Sequence, residues 1–128
     1  MAKQLILLDT SVLIDYFRKQ DKQRSQLLSL VQQGYTLRIS AITEFEIYSG
    51  VGEVQRPFWE ALLERVEVLP FGSAEVHMAV SIQQDLKRAR KQLDLPDLFI
   101  AATALVNGLP IATLNRKHFE RIPKLTVI

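Results

Sequence analysis

The chain has 128 residues, 48% of them hydrophobic and 23% charged, with five Gly, five Pro and no Cys. That suits one globular domain over residues 1–128 with a single sizeable core, and excludes disordered, collagen-like and mucin-like chains. Without Cys there are no disulfides, thiolate metal ligands or cysteine nucleophile, and a formal net charge of +2 is too mild to mark a nucleic-acid-binding protein by itself.

Met1–Gln4 carries one Lys, and the apolar run that follows is broken at Asp9, so neither a signal peptide nor a membrane span is expected and a cytoplasmic location is. The run Gln4–Leu8 reads as a strand buried on both faces, followed by a helix through Val12, Leu13, Tyr16 and Phe17 that Thr10 or Ser11 can cap. Gln23 to Gln33 reads as a second helix closed by Gly34, Tyr35 to Ile39 as a second strand, and Glu44 to Tyr48 as a short helix. Pro57 opens a helix through Leu63, and Val66 to Leu69 is the third strand. A longer helix is expected from Ser73 to about Gln92, then a nearly all-apolar one opened by Asp97, which must be buried almost all round. Leu109–Thr113 is the fourth strand, and Lys124–Ile128 is expected as a fifth, at the edge. Strands alternating with helices imply an α/β, three-layer α/β/α domain with a mainly parallel central sheet of four or five strands.

In open α/β sheets, ligands collect beyond the C-terminal ends of the strands. Asp9 follows the first strand, Glu44 lies one turn after the second, and Asp97 opens the buried helix. If the three converge, like-charge repulsion is relieved by a cation, and ligation by oxygen alone points to Mg²⁺ or Mn²⁺ and thus to phosphodiester chemistry. Each acid also has a plainer reading. Asp94 and Asp97 have the spacing of a cap, Asp9 could cap its helix, and Glu44 suits the positive end of its own. Thr10, Thr113 and Asn115 are strand-end polar groups able either to orient a carboxylate or to make ordinary turn bonds. His77 and His118 lack a ligand partner at metal spacing, and Tyr16, Phe17, Phe45, Tyr48 and Trp59 read as core or interface aromatics. The basic cluster Lys87, Arg88, Arg90 and Lys91 reads as a solvated face or, with Arg116 and Lys117, as candidate contacts to an RNA backbone.

Leu8–Ile14, Ser40–Glu44 and above all Leu95–Ala104 with Gly108–Phe119 make the chain resemble the PIN-domain ribonucleases, and among them the VapC-type toxins of toxin–antitoxin modules. The resemblance runs over nearly the whole length. It implies a Mg²⁺- or Mn²⁺-dependent endoribonuclease in which Asp9, Glu44 and Asp97 hold the ion and a bound water attacks RNA, leaving 5′-phosphate and 3′-hydroxyl ends. It also implies a homodimer restrained by a cognate VapB-type antitoxin. Many members carry a further acid at the position of Asn115 or of His118; neither is acidic here, so one ion is implied and a second is not secured. A PIN-like protein that has lost its chemistry and a DNA-directed nuclease are the rival readings.

Overall fold

The computed structural model describes residues 4–128; Met1–Lys3, which carry part of the leader reading, lie outside it. Four strands, β1 (Gln4–Leu8), β2 (Tyr35–Ser40), β3 (Glu67–Leu69) and β4 (Ile111–Ala112), form one sheet in the order β3-β2-β1-β4, with every pair parallel. Successive β1 residues face opposite ways, as the two-residue period of a strand dictates: Ile6 and Leu8 enter one core and Leu7 the other. Helices α1 (Thr10–Arg18), α2 (Gln26–Gln32) and α4 (Arg56–Leu63) supply buried side chains to the first core. Helices α5 (Ser73–Arg88), α6 (Leu95–Val106) and α7 (Arg116–Phe119) supply the second. Helix α3 (Ala41–Gly50) spans the two, with Ile47 in the first and Ile42 against the second. The result is the expected three-layer α/β/α arrangement.

Several expected boundaries shift, among them the end of α5, at Arg88 instead of about Gln92, and β4, which covers Ile111–Ala112 instead of Leu109–Thr113. Residues Gln23–Gln33 are not one helix but a 3₁₀ turn, Lys22–Arg24, and then α2, because Ser25 caps α2 through the Leu28 amide at 3.3 Å. Helix α6 begins at Leu95, with Pro96 in its first turn where a missing N–H costs nothing. The fifth strand does not form. Ile111 donates to the Thr126 carbonyl and accepts from the Ile128 amide, giving one parallel bridge to Val127 and no ladder. Only two residues of β4 are extended in the sheet, which leaves no room for more.

This topology fixes where side chains can meet. From β1 the chain moves outward to β2 and β3, and it returns to β4 on the opposite side of β1, so the strand order reverses between β1 and β4. A crevice opens at the C-terminal ends of that pair.

Candidate active site

Asp9 is the first residue past β1 and Thr113 the first past β4, both buried, and the Asp9 amide donates to the Ala112 carbonyl at 2.9 Å, locking the two strand ends together. The Thr113 and Ser11 hydroxyls donate to Asp9 Oδ2 at 2.8 and 2.7 Å. Each hydroxyl is itself held by a backbone amide: Leu114 N–H donates to Ser11 Oγ and Asn115 N–H to Thr113 Oγ1. Asp9 Oδ1 has no hydrogen-bond partner among the described residues. Asp9 stands at the N-cap of α1 but makes no side-chain cap bond, so its carboxylate is not spent on the helix.

A cavity of about 610 Å³ opens above these groups, lined by Asp9, Thr10, Ser11, Glu46, Asp97 and Asn115. Asp97 enters from the first turn of α6, 21% exposed, with Oδ2 3.3 Å from His118 Nδ1. Burial, and then the charge of Asp9, push its carboxyl above the usual carboxylate range; the His118 contact opposes this, and Glu46 adds to it. Asp94 holds the N-cap position of α6 without a side-chain bond, so the capping explanation for the Asp94–Asp97 pair is not realised.

The second acid is not the expected one. Glu46, on α3, lines the cavity and accepts from the Thr10 hydroxyl at 2.7 Å, which in turn stands 3.0 Å from the Thr43 hydroxyl. Glu44 does not line the cavity; with Glu60 of α4 it raises the pKa of the Tyr48 phenol, whose burial is the larger cause. Two helical positions differ by about 200° around the axis, so residues two apart face nearly opposite ways. A signal for Glu46 was available: Thr43, Glu46 and Ile47 form one i, i+3, i+4 stripe, and Thr43 and Ile47 are buried.

Among the described residues no three His, Asp or Glu side chains are gathered closely enough to form a ready metal cage. The donor set still suits a hard divalent cation in kind: of the four carboxylates that line the cavity, Asp15 is tied to the Gln26 amide, and Asp9 and Glu46 disfavour the charge of Asp97.

The family profile described as PIN domain matches residues 6–125. The chain belongs to the PIN-domain family. Within it, the chain is 36% identical over 118 residues to ribonuclease VapC1 of Methanocaldococcus jannaschii, covering 91% of this chain and 80% of that protein. It is 33% identical to ribonuclease VapC of Rickettsia bellii, over 96% and 94% of the two chains. A crystal structure of DNA-bound VapBC from Salmonella typhimurium superposes with a TM-score of 0.82 at 27% identity, covering 100% of this chain and 98% of that one. This PIN domain closely resembles VapC-type toxins, and a nuclease role of the PIN/VapC kind follows.

The basic residues expected at RNA do not line the PIN cavity. Lys87, Arg88, Arg90 and Lys91 lie at the exposed C-terminal end of α5 and in the turn after it. There Arg88 pairs with Asp85 at 3.0 Å, and Lys91 borders a different cavity, beside Arg121 and Lys124. Arg116 pairs with Glu120 at 3.3 Å, and Lys117 is exposed beside it. The cations that do line the acid cavity are Arg18 and Lys19, from the last turn of α1 and the residue after it. His118, read as incidental, contacts Asp97, whereas His77 is exposed on α5. Trp59 is buried and packs with Phe17 and Phe58, while Phe45 is 69% exposed. No helix among the described residues is long and apolar enough to cross a membrane.

Proposed function

We propose that this chain is a Mg²⁺- or Mn²⁺-dependent endoribonuclease, with Asp9, Glu46 and Asp97 holding the ion, and that it serves as the cytoplasmic toxin of a toxin–antitoxin pair. The observation that carries the reading is that Asp9, Glu46 and Asp97, supplied by three different elements, line one cavity at the reversal point of the sheet.

When bound, such an ion lowers the pKa of a water for attack on phosphorus and offsets the charge that develops there. The protein's part is positioning. Ser11 and Thr113 fix one oxygen of Asp9 and leave the other for the ion. Thr10 orients Glu46, and His118 orients Asp97. Asn115 lines the same cavity and offers a neutral amide in place of a further carboxylate, in keeping with one firmly held ion.

The named relatives are ribonucleases, and the Salmonella relative is a VapBC complex. A VapB-type antitoxin partner is proposed for this chain on that footing, and a homodimer on the resemblance to VapC-type toxins. The test uses purified protein with matched single-stranded RNA and DNA, in Mg²⁺, in Mn²⁺ and with chelator. The expected result is RNA cleavage to 5′-phosphate and 3′-hydroxyl ends that chelation or Asp97→Asn abolishes. Preferential DNA cleavage makes the chain a DNA nuclease, and no metal uptake with no cleavage makes it a binding protein of this fold. Induction in cells with and without a co-expressed antitoxin, scored for growth arrest and recovery, tests the toxin role.

A further inference from the structure

The acid-lined cavity does not stand alone. A second open cavity of about 430 Å³ adjoins it and shares Asp15, Lys19 and Leu114 with it. Together they form one trough that leaves the carboxylates, passes the C-terminal end of α1 and continues along α2. Its charged lining beyond the acid pocket is mainly cationic: Arg18 and Lys19 in the first part, Lys19 and Arg24 in the second. All three are exposed. Arg18 and Arg24 make no ion pair among the described residues, and Lys19 has only a loose one with Asp15 at 3.6 Å. Ser25, Gln26, Ser29 and Gln33 add polar groups to the far wall, beside Leu30 and Ile128.

The trough is held in shape by Lys22 and by Asp15, the one carboxylate at the junction of the two cavities. Lys22 Nζ donates to the carbonyls of Tyr16, Phe17 and Lys19 at 2.7, 2.9 and 2.9 Å and lies 5.0 Å from the Tyr16 ring centre, which fixes the last turn of α1. Asp15 Oδ2 accepts from the Gln26 amide at 3.1 Å, tying α1 to the start of α2. Arg18, Lys19 and Arg24 therefore project from a braced frame.

We infer that this trough binds the backbone of single-stranded RNA on one side of the bond being cut, with Arg18, Lys19 and Arg24 taking successive phosphates. The inference rests on the nuclease reading above and deepens it. A polyanion leading into a pocket of carboxylates needs cations before it arrives, and these are the ones the fold places there. The far wall offers amides and hydroxyls and no aromatic side chain for base stacking. This stretch thus contributes affinity without sequence preference.

The test measures binding of a fluorescein-labelled single-stranded RNA by anisotropy across a salt series, in an Asp97→Asn background that blocks turnover. Arg18→Gln and Arg24→Gln are each expected to weaken binding and to flatten the slope of log affinity against log salt by about 0.7, the value for one phosphate contact on a single strand. Arg18→Lys keeps the slope, and a Lys87→Gln/Arg88→Gln/Lys91→Gln triple variant leaves it unchanged. If the two Gln variants bind RNA like their parent while the wild-type protein still cuts it, the trough assignment is wrong and the nuclease reading stands. If they bind RNA normally but lose affinity for poly-glutamate, the trough belongs to an acidic polypeptide and the inference is overturned. If the wild-type protein neither binds nor cuts RNA, both fall.

Discussion

Two concavities flank α6 and differ in kind. At the start of the helix, the cavity holding Asp97 is open, gathers carboxylates and hydroxyls, and is built from strand ends and first helical turns. Near its other end, Leu105 helps line a smaller cavity of about 240 Å³ between α5 and residues 121–124, with Met78, Ile82, Leu86 and Ile122 as its aliphatic wall. The second is the better-enclosed hollow, yet its wall belongs to the packed core, since Ile82, Leu86 and Ile122 are at most 5% exposed. The first is shaped by topology: parallel strands that part at a reversal leave backbone ends and polar side chains facing one gap. Enclosure therefore reports packing here, and the strand-order reversal reports chemistry.

The two cavities should respond differently to substitution, most of all at the acid end. Glu46→Gln is expected to reduce metal-dependent RNA cleavage by more than about 100-fold, beyond the loss usual for a residue that only supports a ligand. Glu44→Gln, two positions away, leaves the rate unchanged. Equal rates for both variants would falsify the placement of Glu46. At the apolar end, Leu86→Ala is expected to cost about 2–5 kcal/mol in chemical denaturation while leaving cleavage per folded molecule unaltered.

A smaller effect sharpens the contrast through pH. The Asp97 carboxyl is held above its ordinary range in the fold, so the folded protein retains a proton that the unfolded chain releases. Its contribution is favourable at acid pH and is lost as pH rises through the elevated value, which leaves a penalty at neutrality. Metal-free Asp97→Asn is accordingly expected to be more stable than wild type at pH 7, with the gap closing toward pH 4; urea melts in chelator at both pH values measure it. A gap that widens on acidification would reverse the sign and remove the crowding of the three acids. The smallest expected effect concerns the basic cluster. Arg90 adopts φ of 56° just past α5, where its amide and that of Lys91 donate back to Lys87 and Leu86. This is a helix-ending turn that favours glycine. Arg90→Gly should raise stability by about 0.5–1 kcal/mol with RNA affinity unchanged.

Much of this was legible before any coordinates. An acid directly after a buried strand, as Asp9 is, and another heading an apolar helix, as Asp97 is, are placed by chain order alone once the sheet is known to be parallel. Distance from the strand end favours Glu44, whereas the angle around the helix favours Glu46, and only the angle decides which carboxylate reaches the cavity. Charge density in sequence carries no direction, and the α5 cluster lies outside the acid cavity, with Lys91 bordering a different one. The fifth strand failed for a reason composition does not carry, the shortness of its neighbour. The Thr113 bond to Asp9 and the Leu114 bond to Ser11 join residues about a hundred positions apart, a meeting that only the β1–β4 pairing creates.

Helix α6 is walled in along most of its length, with Leu98, Ile100, Ala101, Ala102, Thr103 and Ala104 all at 3% exposure or less. A rod wedged so tightly has almost no freedom to slide or roll, so the carboxylate at its head works as a fixed anvil. Whatever adjustment a long polymer demands on entering must come from the outer wall, where the α1–α2 corner faces solvent. Substitutions at that corner can reshape the outer wall while the anvil stays where it is.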